Sequence, residues 1–158
     1  MGLLDGIERE ATFVSSIGRT LFRMRHVKPD KNITIVDIVE PIAREKPNNI
    51  ALICQNQTVT YRQMDDAANA YAHWALSLHI KRGDVVALLM ENRPEYIIAW
   101  LGLIKLGAIV AWINTNLRGT ALAHSIAIAQ ARHIILGSEL ADAYAEARPL
   151  MDSPPIAW

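Results

Sequence analysis

Cysteine is almost absent from the sequence, with Cys54 as the only thiol in 158 residues. A single thiol excludes an intramolecular disulfide framework, and this shortage is typical of proteins in a reducing compartment. We therefore predict a cytoplasmic location. Five histidines are present, but none is spaced to share a helix face with a second metal ligand. The sequence predicts no metal site of its own.

A surplus of one charge is also absent, because 16 Lys and Arg residues balance 16 Asp and Glu residues. A protein that binds nucleic acid needs a basic surface, so the composition argues against a nucleic-acid partner. The N-terminus lacks the unbroken apolar core of a secretory signal peptide. With 51% hydrophobic residues, the chain is long enough to form one globular domain with a core.

Long apolar runs are rare, and the one exception is residues 96–113, which contain a single charge at Lys105. A charge near the centre of a membrane span costs about 3 kcal/mol. In addition, Gly102 and Gly107 interrupt the run. We therefore predict a buried helix that stops at Gly107 and a buried strand at 108–113, and no transmembrane span.

Residues 3–24 carry apolar side chains at helical spacing and end in a cluster of basic residues. In one interpretation this segment is an amphipathic helix that packs on its own domain, with the cations at the end where the helix dipole favours them. In the other interpretation, residues 3–25 make a peripheral membrane contact, and the protein is membrane-associated. The residues alone leave both interpretations open.

From residue 33 onward, strand and helix patterns alternate along the chain. A capping box at Thr60 and Gln63 predicts the start of a helix that runs to about Leu78, and Pro94 suits the first turn of another helix. The predicted strands are 49–54, 58–61, 85–90, 108–113 and 133–136, and the predicted helices run from 34 to 47, 60 to 78, 94 to 107, 120 to 131 and 138 to 148. This order predicts an α/β fold with a mostly parallel sheet and flanking helices.

Recognisable catalytic motifs are missing. The sequence has no Gly-x-Ser-x-Gly elbow, no Gly-x-Gly-x-x-Gly and no Gly-x-x-x-x-Gly-Lys-[Ser/Thr] loop. Cys54 lies within a predicted apolar strand, which favours packing over a nucleophilic role. Asp65 and Asp66 are adjacent on a predicted helix and indicate a solvated face. Glu91 and Glu95 follow the carboxyl end of a strand, where α/β sites form, but a solvated face is the stronger interpretation for them too.

The segment from Asn114 to Arg118 follows a predicted buried strand and precedes a helix. The amides of Asn114 and Asn116 and the guanidinium of Arg118 can bind a ligand at the carboxyl end of the sheet. The same residues can instead close a turn and cap the next helix. Asn114, Asn116 and Arg118 are therefore the candidate substrate-binding residues, with the turn as the alternative. No residue is predicted to be catalytic.

Several motifs together carry a family resemblance. "TVTYRQMDDAANAYAHWAL" is similar to the first motif of adenylate-forming enzymes, in which a Thr-Tyr pair opens a helix. "MENRPEY", "WLGLIKLGA", "INTNLRG" and "ILGSELADA" then follow in order. Together they resemble the N-terminal portion of the fatty acid transport protein and very-long-chain acyl-CoA synthetase family, within the AMP-binding superfamily. The resemblance extends from about Ile33 to Met151.

This resemblance implies an AMP-forming ligase. A long-chain or very-long-chain fatty acid and ATP would form acyl-AMP and pyrophosphate, and the thiol of CoA would then displace AMP, with Mg²⁺ offsetting the phosphate charge. The family's Ser/Thr/Gly-rich phosphate loop and its later motifs are not in this sequence. The 158-residue chain is therefore expected to be inactive alone and to bind no ATP, CoA or Mg²⁺ by itself.

The resemblance also implies three segments. Residues 1–32 form the N-terminal helix and linker, residues 33–151 form the opening subdomain of the AMP-binding large domain, and residues 152–158 form a tail with no predicted strand. The sheet of such a piece is expected to be incomplete, which predicts self-association through its uncovered surface. A non-catalytic lipid- or partner-binding module derived from a synthetase is the alternative function.

Overall fold

The computed structural model describes Arg19 and residues 33–158. The helix predicted over residues 3–24, and with it the choice between packing and membrane contact, lies outside the described residues apart from Arg19. Residues Thr34–Trp158 form one compact unit. Its elements in chain order are α1 (Ile35–Glu45), β1 (Ile50–Cys54), β2 (Gln57–Thr60), α2 (Tyr61–Ser77), β3 (Val85–Leu89), α3 (Pro94–Lys105), β4 (Ile109–Trp112), α4 (Gly119–Ala129), β5 (His133–Leu136), α5 (Ala141–Ala147) and β6 (Ile156–Ala157).

The strands form two separate sheets. β1 and β2 pair antiparallel as a hairpin, whereas the other four strands form a parallel sheet in the order β4-β3-β5-β6. After β3 the chain forms β4 on one side of β3, and it then crosses over to form β5 on the other side of β3. The predicted α/β fold with a parallel sheet is confirmed, and the strand predicted at 133–136 has the predicted bounds.

The strand β6 was not predicted, because the sequence analysis left residues 152–158 outside the sheet. The backbone N–H of Ile156 donates to the Arg132 carbonyl at 3.0 Å, and that of Trp158 donates to the Ile134 carbonyl at 3.0 Å. A strand of two residues is too short to show an alternating pattern, and two prolines precede it. The tail therefore completes one edge of the sheet.

The start of α2 follows the predicted capping box. The Thr60 hydroxyl accepts from the Gln63 backbone N–H at 3.3 Å, and the Gln63 side-chain oxygen accepts from the Thr60 backbone N–H at 2.9 Å. These bonds satisfy two polar groups that a helix start leaves without a backbone partner. The helix ends at Ser77, as the pattern predicted within one residue.

Strand β3 forms the centre of the core, since helices cover both of its faces. Val86 and Leu88 pack with residues of α2 and α3, whereas Ala87 and Leu89 pack with residues of α4 and α5. α2 and α3 approach closely at Gly102, where an added Cβ would lie 2.6 Å from a backbone carbonyl of α2. A side chain at this position would push the two helices apart.

The interpretation of residues 96–113 is confirmed in its order and wrong in one detail. A helix runs to Lys105, Gly107 ends it with a φ of +76°, and a strand follows. The strand is not buried, because Ile109 is 56% exposed and Trp112 is 57% exposed. Burial of a strand depends on its neighbours, and within the described residues β4 has a strand on one side only. No helix in the described part of the chain is long and apolar enough to cross a membrane.

Lys105 is the charge that the apolar run contains, and its side chain is only 8% exposed. The ammonium donates to Glu40 at 2.9 Å, to Asp65 at 2.7 Å and to the side-chain oxygen of Asn69 at 2.7 Å. Because these partners lie on α1 and α2, one cation joins three helices. The solvated face predicted for Asp65 is therefore wrong, whereas Asp66 is exposed as predicted.

The environment of Lys105 moves its pKa in two directions. Burial is the largest single influence and lowers the pKa, but the hydrogen bonds and charges of Asp65 and Glu40 outweigh it and raise the pKa above its ordinary value. Because the folded pKa is raised, the ion cluster contributes its full stability below the unfolded pKa. That contribution is lost as the pH rises through the folded pKa.

We predict that Lys105→Met lowers the free energy of unfolding by about 2–3 kcal/mol, because two carboxylates then lose their cation in a partly buried place. Urea denaturation at pH 7 measures the change, and Lys81→Met at an exposed lysine is the matched control. The difference between the wild type and Lys105→Met should shrink at alkaline pH. Equal effects of the two substitutions at pH 7 would contradict the prediction.

Candidate functional site

Three loops meet at the carboxyl end of the parallel sheet. They comprise residues 90–93 after β3, residues 113–118 after β4 and residues 137–140 after β5. α3 and α4 lie on opposite faces of the sheet, so the direction of winding reverses between β3 and β5. Ligands of open α/β sheets bind in the crevice outside the carboxyl ends of the strands at such a reversal. This end of the sheet is therefore the candidate functional site.

The loop after β4 contains the three predicted binding residues and is closed by its own hydrogen bonds. The Asn114 side-chain oxygen accepts from the backbone N–H of Asn116 at 2.9 Å. Arg118 Nη1 donates to the carbonyls of Thr115 at 2.6 Å and Leu117 at 2.7 Å. The turn that the sequence analysis offered as the alternative is therefore present. Asn114, Asn116 and Arg118 are all exposed, so their remaining polar atoms face outward from the loop.

An open crevice of about 490 Å³ separates the loop after β4 from the loop after β3. Asn92 and Tyr96 line it on one side, and Trp112, Asn114 and Thr115 line it on the other. Asn116 and Arg118 lie outside this lining. The structure thus brings Asn114 to a cavity and leaves the other two candidates on the adjoining surface.

The loops after β3 and β5 are joined by one carboxylate, which the sequence analysis missed. Glu139 accepts from the backbone N–H of Glu91 at 2.9 Å and from Arg93 Nη1 at 3.1 Å. The N–H of Gly137 donates to the Leu89 carbonyl at 2.8 Å. A Cβ at Gly137 would displace the Glu139 carboxylate from its present position. The signal in the sequence was the presence of charged residues shortly after β3 and β5. Residue spacing alone does not show that Arg93 and Glu139 form a contact.

The hydrogen bonds of Glu139 have an electrostatic consequence. The Glu91 N–H, and with it the Arg93 guanidinium, stabilises the ionised carboxylate and lowers the pKa of Glu139 despite opposing desolvation. Arg93 is also the residue before α3, and its Nε is buried without an acceptor among the described residues. The guanidinium therefore joins the loop after β5 to the loop after β3 through Nη1, whereas Nε donates to no described acceptor.

Glu91 and Glu95 line the same open crevice, of about 810 Å³. Glu91 contributes its backbone N–H to Glu139, whereas the Glu95 carboxylate lies 3.7 Å from Arg93 Nε. Cys54, which was predicted within a strand, is the half-buried last residue of β1. The described residues contain no group of three His, Cys, Asp or Glu side chains that could hold a metal ion.

A second crevice, of about 570 Å³, opens on the face of the sheet covered by α2 and α3. Its lining is mostly apolar and includes Tyr71, Trp74, Met90 and Trp158, with Arg93 at its polar side. The Trp74 and Trp158 rings meet edge to face at 5.8 Å between centroids. Arg93 thus both contacts Glu139 and borders this crevice.

Comparison with known proteins places this arrangement among adenylate-forming enzymes. A family model described as AMP-binding enzyme matches residues 39–156. Long-chain fatty acid transport protein 6 of Mus musculus is 36% identical over 128 residues, which cover 80% of this chain and 20% of that protein. Long-chain fatty acid transport protein 1 of Rattus norvegicus is 39% identical over 115 residues, which cover 72% of this chain and 18% of that protein. The chain therefore spans about a fifth of the length of these relatives.

Solved structures show the same fold. The anthranilate CoA ligase AuaEII in complex with anthranoyl-AMP aligns with a TM-score of 0.73 and 26% identity, covering 79% of this chain and 24% of that chain. The N-terminal subdomain of Klebsiella oxytoca NpsA in complex with anthranilyl-AMSN aligns with a TM-score of 0.62 and 30% identity, covering 65% of this chain and 26% of that chain. The resemblance stated from the sequence motifs is confirmed.

We predict that Glu139→Gln lowers the free energy of unfolding by about 1 kcal/mol at pH 7, because neutral hydrogen bonds replace charge-assisted ones. Glu45→Gln, at an exposed glutamate, is the matched control. Since the folded pKa of Glu139 is lowered, its contribution is present above the unfolded pKa and is lost as the pH falls through the folded pKa. Urea denaturation at pH 7 and pH 3 should therefore show a difference at pH 7 that is smaller at pH 3. A difference of the same size at both pH values would contradict the assignment.

Proposed function

Because the chain belongs to the AMP-binding enzyme family, we propose that it is an N-terminal part of an AMP-forming fatty acid–CoA ligase. The observation that supports a fatty acid substrate is the similarity to long-chain fatty acid transport proteins over 72–80% of the chain. The intact enzyme would act on long-chain or very-long-chain fatty acids.

The proposed reaction has two steps. A carboxylate oxygen of the fatty acid attacks the α-phosphorus of ATP, and pyrophosphate leaves to give acyl-AMP. The CoA thiol then loses its proton and attacks the acyl carbonyl, and AMP leaves to give acyl-CoA. ATP, CoA and Mg²⁺ are the cofactors of the intact enzyme in this proposal.

In this proposal the residues of this chain are not expected to supply the nucleotide site for that reaction. The sequence has no glycine-rich phosphate loop that ends in a lysine, and the described residues hold no metal-ligating group of three. In this proposal the catalytic groups belong to the intact enzyme, and the 158-residue chain is expected to be inactive alone.

The proposed contribution of this chain is to border the path of the acyl chain or CoA. Asn114, Asn116 and Arg118 support it by their place at the carboxyl end of the sheet and by their exposed polar atoms. The hydrogen bonds of Arg118 to the other described residues use only Nη1. Its other donors are free, within the described residues, to bind a carboxylate or phosphate oxygen.

The second candidate function is a non-catalytic module that binds lipid or a partner. The exposed apolar residues Ile109 and Trp112 at the sheet edge favour it, since soluble proteins usually cover such edges. Both functions predict the same fold and differ in what the native polypeptide contains. A membrane contact through residues 3–25 is compatible with either function.

We expect the purified 158-residue chain to form no acyl-AMP from ATP and palmitate, measured by mass spectrometry against an intact fatty acid–CoA ligase as positive control. The reason is the missing phosphate loop. Product above the buffer blank would sink the proposal that the catalytic groups lie elsewhere.

The native protein in its source cells is expected to be several times heavier than 17.6 kDa. An antibody against residues 33–158 captures it for intact mass spectrometry, and the captured material should convert palmitate to palmitoyl-CoA.

In that protein, Arg118→Gln should raise KM by about tenfold, equivalent to about 1.4 kcal/mol. A native species at 17.6 kDa without activity would favour the binding module instead.

A further inference from the structure

Asn92 lies in the loop after β3 and lines the crevice that Asn114 and Thr115 border from the loop after β4. It is exposed, and its carboxamide makes no hydrogen bond within the part of the chain that the structure describes. A carboxamide offers two N–H donors and an oxygen acceptor. All of these groups of Asn92 are therefore available to a ligand in the crevice.

The two residues that flank Asn92 are both held by Glu139. Its Oε1 accepts from the Glu91 backbone N–H at 2.9 Å, and its Oε2 accepts from Arg93 Nη1 at 3.1 Å. Each carboxylate oxygen thus holds one neighbour of Asn92. Because Asn92 has no hydrogen bond of its own to the described residues, these two contacts limit where its side chain can lie.

Glu139 projects from a support that is itself fixed to the sheet. The Gly137 N–H donates to the Leu89 carbonyl at 2.8 Å, and the Leu140 N–H donates to the Gly137 carbonyl at 2.9 Å. Leu140 is 3% exposed and packs in the core. Close packing on one side and hydrogen bonds on the other leave this short turn little freedom. The Glu139 carboxylate can therefore hold the loop after β3 from a fixed position.

The opposite wall of the crevice is positioned by a separate contact. Asn114 Oδ1 accepts from the Asn116 backbone N–H at 2.9 Å, which leaves the Asn114 amino group for a ligand. Two carboxamides with unused hydrogen-bonding groups, Asn92 and Asn114, therefore line one crevice of about 490 Å³. Each of them is oriented by a contact within or between loops rather than by its partner across the crevice.

We propose that Asn92 binds a polar group of the fatty acid or of CoA, and that Glu139 is the positioning residue that holds Asn92 in place. Asn92 makes the substrate contact. Glu139 acts through Glu91 and Arg93 and touches no substrate. The inference rests on the proposed ligase function and adds to it two residues that the sequence analysis did not select as binding residues.

The test is steady-state kinetics of the intact native protein, with KM measured separately for palmitate, CoA and ATP at a temperature at which every variant is folded. Glu139→Gln and Asn92→Ala should each raise KM for palmitate or for CoA about fivefold, the effect of one ordinary hydrogen bond. The kcat and the KM for ATP should not change, because only substrate binding in this crevice is weakened. Glu45→Gln, at an exposed glutamate, is the matched control.

The double variant distinguishes positioning from independent binding. If Glu139 acts through Asn92, adding Glu139→Gln to Asn92→Ala should leave the KM increase at about fivefold, whereas independent effects would multiply to about 25-fold. A loss of stability alone does not produce this pattern, because all variants are compared in the folded state.

Gly137→Ala tests the position of the carboxylate without removing its charge. The φ of Gly137 is −66°, which alanine adopts without strain, but the three atoms nearest to an added Cβ all belong to the Glu139 side chain. The carboxylate must therefore move. We expect the same KM increase as for Glu139→Gln and faster hydrogen exchange of the Glu91 amide. Ser138→Ala, at the exposed next residue, is the control and should change neither.

Three results would each overturn the inference: an unchanged KM in Glu139→Gln or Asn92→Ala, multiplied effects in the double variant, or a Glu91 amide whose exchange is unaffected by Gly137→Ala. These results in an active wild type would leave the ligase function standing. A native protein without ligase activity would instead refute the proposed function, and this inference with it.

Discussion

Strand β3 is hydrogen-bonded to β4 on one side and to β5 on the other, and helices cover both of its faces. Its residues from Val86 to Leu89 are completely or almost completely buried. A strand with four covered sides cannot shift its register without moving a helix or a neighbouring strand. The loops at its carboxyl end are therefore held at fixed positions, and the candidate site depends on this burial.

Two charged contacts hold the elements around that strand. Lys105 joins α1, α2 and α3 below one face, and Glu139 joins the loops after β3 and β5 at the carboxyl end. The two contacts differ in their response to pH, because the pKa of Lys105 is raised and that of Glu139 is lowered. Both groups stay ionised between these limits. The fold therefore keeps its full set of charged contacts near neutral pH.

Local patterns predicted most of the elements, because caps and periodicity act over a few residues. The capping box at Thr60, the stop at Gly107 and the strand at 133–136 are of this kind. Contacts between distant residues could not be predicted in the same way. Lys105 and Asp65 are 40 residues apart, and Arg93 and Glu139 are 46 apart. The exposure of β4 was also missed, because an apolar sequence does not tell whether a neighbouring strand is present on both sides.

The uncovered edge and the candidate binding loop belong to the same strand. β4 ends at Trp112, and Asn114 follows two residues later at the crevice that Trp112 also lines. Any strand that pairs with β4 would cover the free side of Trp112 and so restrict the position of Asn114. The geometry of the loop at Asn114 therefore depends on whether a strand pairs with β4.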